Sequence, residues 1–315
     1  MPAPLMLPPG WSQRPLTTAD AGAVASLVAA GELHDTGEVV IEEADLVAEW
    51  ARPSFDLGAS SVGVVGPRGD LVAYAEVSIA DRGDLAVLPE HRGRGLEAQL
   101  ARWLRERAGE VGSDVVGLPV PQGSSTDREL EALGWAVRWT SWVLALPEGA
   151  EIPARDLPPG YAVRQARSDE HEACWQVIED AFLEWSARER RSLEDWSATV
   201  MGRPGFEPWH LRVVVDPAGA VVAACIVMLS TPDAVTEGYV DAVATRRDQR
   251  GRGIAQALLA DAFAAARAHG AARSTLTTDS RTGALGLYQK LGMEVVLVWV
   301  NRATATVRRT DGSRA

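Results

Sequence analysis

Along residues 254–269 (IAQALLADAFAAARAH) apolar positions recur every three or four residues, which predicts a helix with one buried stripe. Just upstream, residues 239–244 (YVDAVA) read as a strand. Strand alternation there puts Glu237, Tyr239, Asp241 and Val243 on one face. Between strand and helix stands Arg250-Gly251-Arg252-Gly253-Ile254-Ala255. Glycines let the backbone turn tightly and approach a ligand with no Cβ in the way. The first N–H groups of a helix lack internal acceptors and carry the positive end of its dipole. Strand, glycine turn and helix N-terminus therefore make a phosphate-type anion site, and Arg246, Arg247, Arg250 and Arg252 raise its potential. Taken alone, the motif also fits a plain turn with solvated arginines. It is neither the dinucleotide G-x-G-x-x-G nor a P-loop, since no Lys-Ser/Thr follows.

The same order of elements is written twice. Gly10-Trp11 with Arg14 returns 150 positions later as Gly160-Tyr161 with Arg164, and residues 66–73 (GPRGDLVA) return as 216–223 (DPAGAVVA). Arg92-Gly93-Arg94-Gly95 returns 158 positions later as Arg250-Gly251-Arg252-Gly253, and Leu133-Gly134 as Leu291-Gly292. Constant offsets with one step point to duplication. Each copy reads as a short strand, two helices, a hairpin, the strand into the glycine loop, the loop helix, a strand, and a final helix and strand. The second helix of the later copy opens at Ser192-Leu193-Glu194-Asp195, a capping-box-like start. The hairpins turn at 66–69 and 216–219, where Pro and Gly sit in usable places. This predicts an α/β fold of two tandem domains, each with a mixed, largely antiparallel central sheet flanked by helices. The Pro/Gly-rich stretch 147–160 reads as the linker, with domains expected at 1–152 and 153–315. The polar tail after Thr306 is expected to fray.

Hydrophobic residues make up 46% and charged residues 23%, which suits an ordinary soluble core. A net charge of −12 argues against general nucleic-acid binding and is compatible with cationic acceptors such as amines. No apolar run reaches a membrane span, and MPAPLMLPPG does not read as a signal peptide. Cys174 and Cys225 are unclustered and read as free thiols of a reducing cytoplasm. The five histidines are scattered, so no metal site is expected.

Arg250, Gly253 and Ala255 match the pattern R/Q-x-x-G-x-G/A, the pyrophosphate loop of the GNAT superfamily of N-acetyltransferases. Residues 284–293 (ALGLYQKLGM) resemble that superfamily's A-x-x-L-Y-x-K-x-G-F segment. On these two segments the chain resembles a tandem GNAT protein, strongly in its second half and thinly in its first; mycothiol synthases share this architecture. The resemblance implies an N-acetyltransferase with acetyl-CoA as co-substrate, acting on a primary amine of a small molecule by direct attack in a ternary complex. It implies that the pantetheine arm pairs with the backbone of Val243, Ala244 and Thr245 like an added strand. The pyrophosphate then lies on Arg250, Gly251, Arg252, Gly253, Ile254 and Ala255. A bulge in the strand is expected to free N–H groups near Val243 and Ala244 for the oxyanion. Seven residues before Tyr288 the family often has Asn; this chain has Arg281, a changed contact to the pantetheine arm.

Amide formation needs a base for the amine, donors for the oxyanion and an acid for the leaving thiolate. Glu237 is the candidate base, at a spacing that resembles the catalytic glutamate of mycothiol synthase and some histone acetyltransferases. Asp241 is the alternative base or an anchor for the amine, and a plain surface role stays open for both. Tyr288 is the candidate acid, since a phenol of pKa near 10 keeps its proton at neutral pH. In the family this tyrosine contacts the CoA sulfur; a simple core tyrosine is the other reading. The first copy looks disabled. Glu97 stands where the second copy has Ala255, and residues 124–133 (SSTDRELEAL) hold no tyrosine. One working site in the second copy is therefore expected. Two rival readings remain: acetylation of a cysteinyl-glucosaminyl-inositol amine, as in mycothiol synthases, and a non-catalytic acyl-CoA-binding regulatory module.

Overall fold

The computed structural model describes residues 2–79, 81–231 and 235–307, so tail residues 308–315 lie outside the described residues. The first half runs β1 (Ser12–Arg14), α1 (Ala21–Thr36), α2 (Glu43–Trp50), α3 (Leu57–Ser60), β2 (Ser61–Val65), β3 (Leu71–Ile79), β4 (Arg82–Val87), α4 (Leu96–Glu110), β5 (Val115–Pro121), α5 (Ser125–Ala132) and β6 (Ala136–Ala145). The second half repeats it with β7 (Ala162–Gln165), α6 (His171–Phe182), α7 (Leu193–Val200), β8 (Leu211–Val215), β9 (Val221–Ser230), β10 (Glu237–Thr245), α8 (Ile254–Ala268), β11 (Arg273–Asp279), α9 (Leu285–Lys290) and β12 (Glu294–Ala305). Small contacts repeat along with the elements. Arg14 grips Asp20 through both guanidinium nitrogens, and Arg164 grips Glu170 the same way.

Local chemistry accounts for the element ends. The Ser192 hydroxyl accepts from the Asp195 N–H and opens α7. In α8 the predicted stripe of Ile254, Leu258, Leu259, Ala262, Phe263 and Ala266 is at most 1% exposed. Each large side chain buried this way contributes roughly 1.5–3 kcal/mol. Helix α8 crosses between β10 and β11, which run parallel, so strand, helix and strand form one crossover unit. The helix lies close on β10: a Cβ added at Gly238 would sit 2.5 Å from the Ala266 Cβ.

The compact units do not divide at residue 152. One comprises Met1–Thr140 with Val298–Ala315, the other Ser141–Leu297. The reason is an exchange of last strands. In the first unit, β5 pairs antiparallel with residues 299–305 of β12. In the second, residues 141–145 of β6 pair antiparallel with β11. Strand order is β1-β2-β3-β4-β5-β12 in one unit and β6-β11-β10-β9-β8-β7 in the other. Most neighbours are antiparallel, with β4–β5 and β10–β11 parallel. In the second unit, one core packs β9 and β10 against α8, and the other packs the opposite face against α6 and α7. No described helix is long and apolar enough to cross a membrane.

Candidate active site

The glycine loop is shaped by two left-handed residues, Gly251 at φ 76° and Gly253 at φ 80°, and Gly253 is the N-cap of α8. Any residue with a Cβ would be strained at either place. Arg250 braces the loop from within. Its Nε donates to the Thr245 carbonyl at 3.1 Å, and its terminal nitrogens grip both Glu184 oxygens at 2.7 and 2.8 Å. Arg246 pairs with Asp248. Arg252 donates to the Tyr161 hydroxyl, which donates in turn to Gln249. Ala255 sits in the first turn of α8, half-buried and uncharged.

The first copy repeats the brace. Arg92 donates from Nε to the Val87 carbonyl and grips Asp35. Its loop, however, is filled from inside. Glu97 is 6% exposed, and its carboxylate accepts the Gly93 N–H at 3.3 Å. A side-chain anion stands where the second copy leaves room.

Strand β10 is where sequence alternation breaks down. It pairs Val240 with Val227 and then Ala242 with Ile226, so Asp241 is the extra residue of a bulge. A one-residue bulge swaps the faces beyond it. Val240 packs toward α8, whereas Ala242 and Ala244 pack toward α6 and α7 and Val243 turns to the α8 side. Glu237 and Tyr239 oppose Ser230 and Met228, on the α6–α7 face. The expectation that Glu237, Tyr239, Asp241 and Val243 share a face is therefore wrong: Glu237 and Val243 lie on opposite faces. The strand does carry a bulge, as expected, and it falls at Asp241.

The same strand splays from β11. The parallel ladder covers Glu237–Val240 against residues 273–276, yet β10 runs on to Thr245 and β11 to Asp279. Among the described residues, Ala242, Val243, Ala244 and Thr245 have no ladder partner in β11, the kind of edge with which an extended ligand pairs. The Thr245 hydroxyl, 8% exposed at the root of the glycine loop, has no hydrogen-bond partner among the described residues.

Tyr288 in α9 packs against the α8-side core. Burial, and then the nearby Cys225 thiol, push its phenol up to about 12. Cys225 is the register partner of Val243, so Tyr288 and Val243 meet on one side of the sheet. Burial pushes the Cys174 thiol up to about 12 and the Cys225 thiol higher still. Both are buried, and neither is suited to carry an acyl group. Arg281 chelates Asp279 with contacts of 2.5 and 3.2 Å and stacks on Trp185, its guanidinium carbon 4.8 Å from the ring centre. The sequence reading missed Glu184 and Trp185. They are consecutive in the segment after α6 and contact the residues that follow β10 and β11. Nothing in their own sequence marks them, because their partners are far along the chain.

Residues 162–293 match the profile of the Acetyltransferase (GNAT) family. Among curated relatives, a mycothiol acetyltransferase of Saccharopolyspora erythraea is 26% identical over 245 residues, covering 71% of this chain and 78% of its own. One of Pseudarthrobacter chlorophenolicus is 27% identical over 292 residues, covering 84% and 86%. Among solved structures, a GCN5-related N-acetyltransferase from Sphaerobacter thermophilus superposes with a TM-score of 0.73 at 27% identity, covering 96% of this chain and 98% of that one. A tandem GNAT protein from the clavulanic acid biosynthesis pathway gives 0.72 at 17% identity, covering 95% and 100%, a likeness of fold.

Proposed function

We propose that the chain is a tandem acetyltransferase of the GNAT family whose second half moves an acetyl group from acetyl-CoA to the primary amine of a small molecule. The observation that carries this reading is the open edge of β10 beyond Val240. It is flanked by the glycine-capped start of α8 and by the partly buried phenol of Tyr288.

The pantetheine arm pairs with the open edge at residues 243–245, and the pyrophosphate meets the first N–H groups of α8. Glu237, or Asp241 at the bulge, takes the proton of the amine. The amine nitrogen then attacks the thioester carbon. Backbone N–H groups beside the bulge hold the oxyanion. As the carbon–sulfur bond breaks, Tyr288 gives its proton to the departing thiolate. No acyl-enzyme forms, in keeping with two cysteines that are buried and held as protonated thiols.

A narrower reading takes the acceptor to be a cysteinyl-glucosaminyl-inositol amine. The long matches to two mycothiol acetyltransferases favour it. Release of free thiol from acetyl-CoA, followed over a panel of amines that includes this one, tests both readings. Turnover with at least one amine is expected. No turnover with any, from protein that binds acetyl-CoA, would leave a binding module instead.

A further inference from the structure

The linker between the two copies is not slack. The Ile152 side chain is buried in the α8-side core, and Leu157 packs against the same cluster. The Pro153 carbonyl accepts from Gln256 of α8 at 2.7 Å, and Glu151 pairs with Arg267 farther along that helix. These ties hold residues 153–157 against the first turn of α8. Arg155 consequently lies over the glycine that caps the helix: a Cβ on Gly253 would come within 2.7 Å of the Arg155 Cγ and Nε. Arg155 and Arg252, with Ala154, Asp156, Leu157 and Pro158, line an open hollow of about 390 Å³.

Charge bears on what the hollow takes. Arg246 and Arg250 are neutralised by Asp248 and Glu184. Among the described residues, Arg155, Arg247 and Arg252 have no carboxylate at ion-pair distance, and Arg252 is bonded to a phenol instead. Two of these cations, Arg155 and Arg252, line the hollow with one carboxylate, Asp156, so beside the helix N-terminus the lining is net positive and suits an anion. A second, independent observation points the same way. The unpartnered Thr245 hydroxyl is on the α8 face of β10, since its register partner Ala223 lies in the α8-side core.

The first copy supplies the contrast. Residues 4–11 (PLMLPPGW) repeat as 154–161 (ARDLPPGY), which aligns Leu5 with Arg155. Leu5 is buried in the core of its own unit, and Glu97 occupies the loop beside it. In the first copy no described atom lies within 4 Å of where a Cβ on the equivalent Gly95 would sit, whereas in the second Arg155 lies over Gly253.

We propose that Arg155, delivered by the linker, is a binding residue for the phosphate-bearing end of the acyl donor. This rests on the reading that the donor is an acyl-CoA. Arg155 is exposed, so replacing it leaves the core intact. In Arg155→Ala the KM for acetyl-CoA is expected to rise about tenfold or more, with kcat within about twofold of wild type. S-acetylpantetheine, which lacks phosphates, should be used equally well by both proteins. Arg155→Lys should recover part of the loss, because it keeps the charge but not the planar fork. Calorimetric titration with inorganic pyrophosphate separates this proposal from the functional reading. Pyrophosphate binding lost in Arg155→Ala supports the proposal even if acetyl-CoA is not the donor. Equal acetyl-CoA affinity in the variant and wild type overturns it while the functional reading stands. A wild-type protein that binds neither probe overturns both.

Discussion

Tyr288 is partly buried, and burial raises its phenol above the ordinary value, so it holds its proton across the neutral range. Tyr288→Phe is therefore expected to lower kcat by roughly 10²–10⁴-fold with acetyl-CoA binding nearly intact. An unchanged kcat under conditions where chemistry limits turnover removes the phenol from the mechanism. The base is a choice between Glu237 and Asp241. Glu237→Gln is expected to flatten the limb of the kcat/KM–pH profile that reports the base. If Asp241→Asn flattens it and Glu237→Gln does not, the base is at the bulge. The tight turn at Gly251 and Gly253 was legible as a motif, because a left-handed φ is set by its own few neighbours. The faces of Glu237 and Val243 were not, since the bulge exists only in the register of β10 against β9. Glu76 escaped notice altogether. Burial, and then Asp84 opposite it, push its carboxyl up to about 8, against a hydrogen bond from the Trp50 indole. The folded chain thus holds this proton to higher pH than the unfolded chain, where it leaves near 4.5. Its stabilising contribution is full below that pH and is lost as pH rises through about 8. Glu76→Gln should flatten the fall in Tm across that window and give a higher Tm than wild type at its upper end. Parallel Tm–pH curves for the two proteins would contradict this.

At the scale of elements, the periodicity of α8, the hairpin turns and the cap of α7 were all readable from sequence. The exchange of β6 and β12 was not. A strand's alternation says which face is buried and nothing about which equivalent edge it joins, and duplicated halves offer two such edges. Arg302 of β12 fixes the choice within the first unit. It donates to Asp127 at 2.7 Å and to the Trp135 carbonyl, with both members of the pair buried. Arg302→Ala leaves a buried carboxylate without its cation, which should cost about 3–5 kcal/mol in denaturant unfolding. Adding Asp127→Asn should restore part of that. A single variant within about 0.5 kcal/mol of wild type would mean that the pair does not hold the strand.

For the whole molecule, duplication was legible from the constant offsets, and so was the asymmetry between copies. Two glycine loops share the same brace on Arg92 and Arg250, so motif matching alone would assign two donor sites. The structure adds what sequence only suggested, that the Glu97 carboxylate is turned into its own loop. A phosphate arriving there would meet a like charge. At about 4 Å and an effective dielectric near 20 the repulsion is roughly 4 kcal/mol, about a thousandfold in affinity. The central claim is that one donor site, in the second half, does the work. Calorimetric titration of the intact chain with acetyl-CoA tests it most directly. The account predicts one tight site per chain, and a second gained only in Glu97→Ala. Two comparable sites in the wild-type protein, or none, would contradict it.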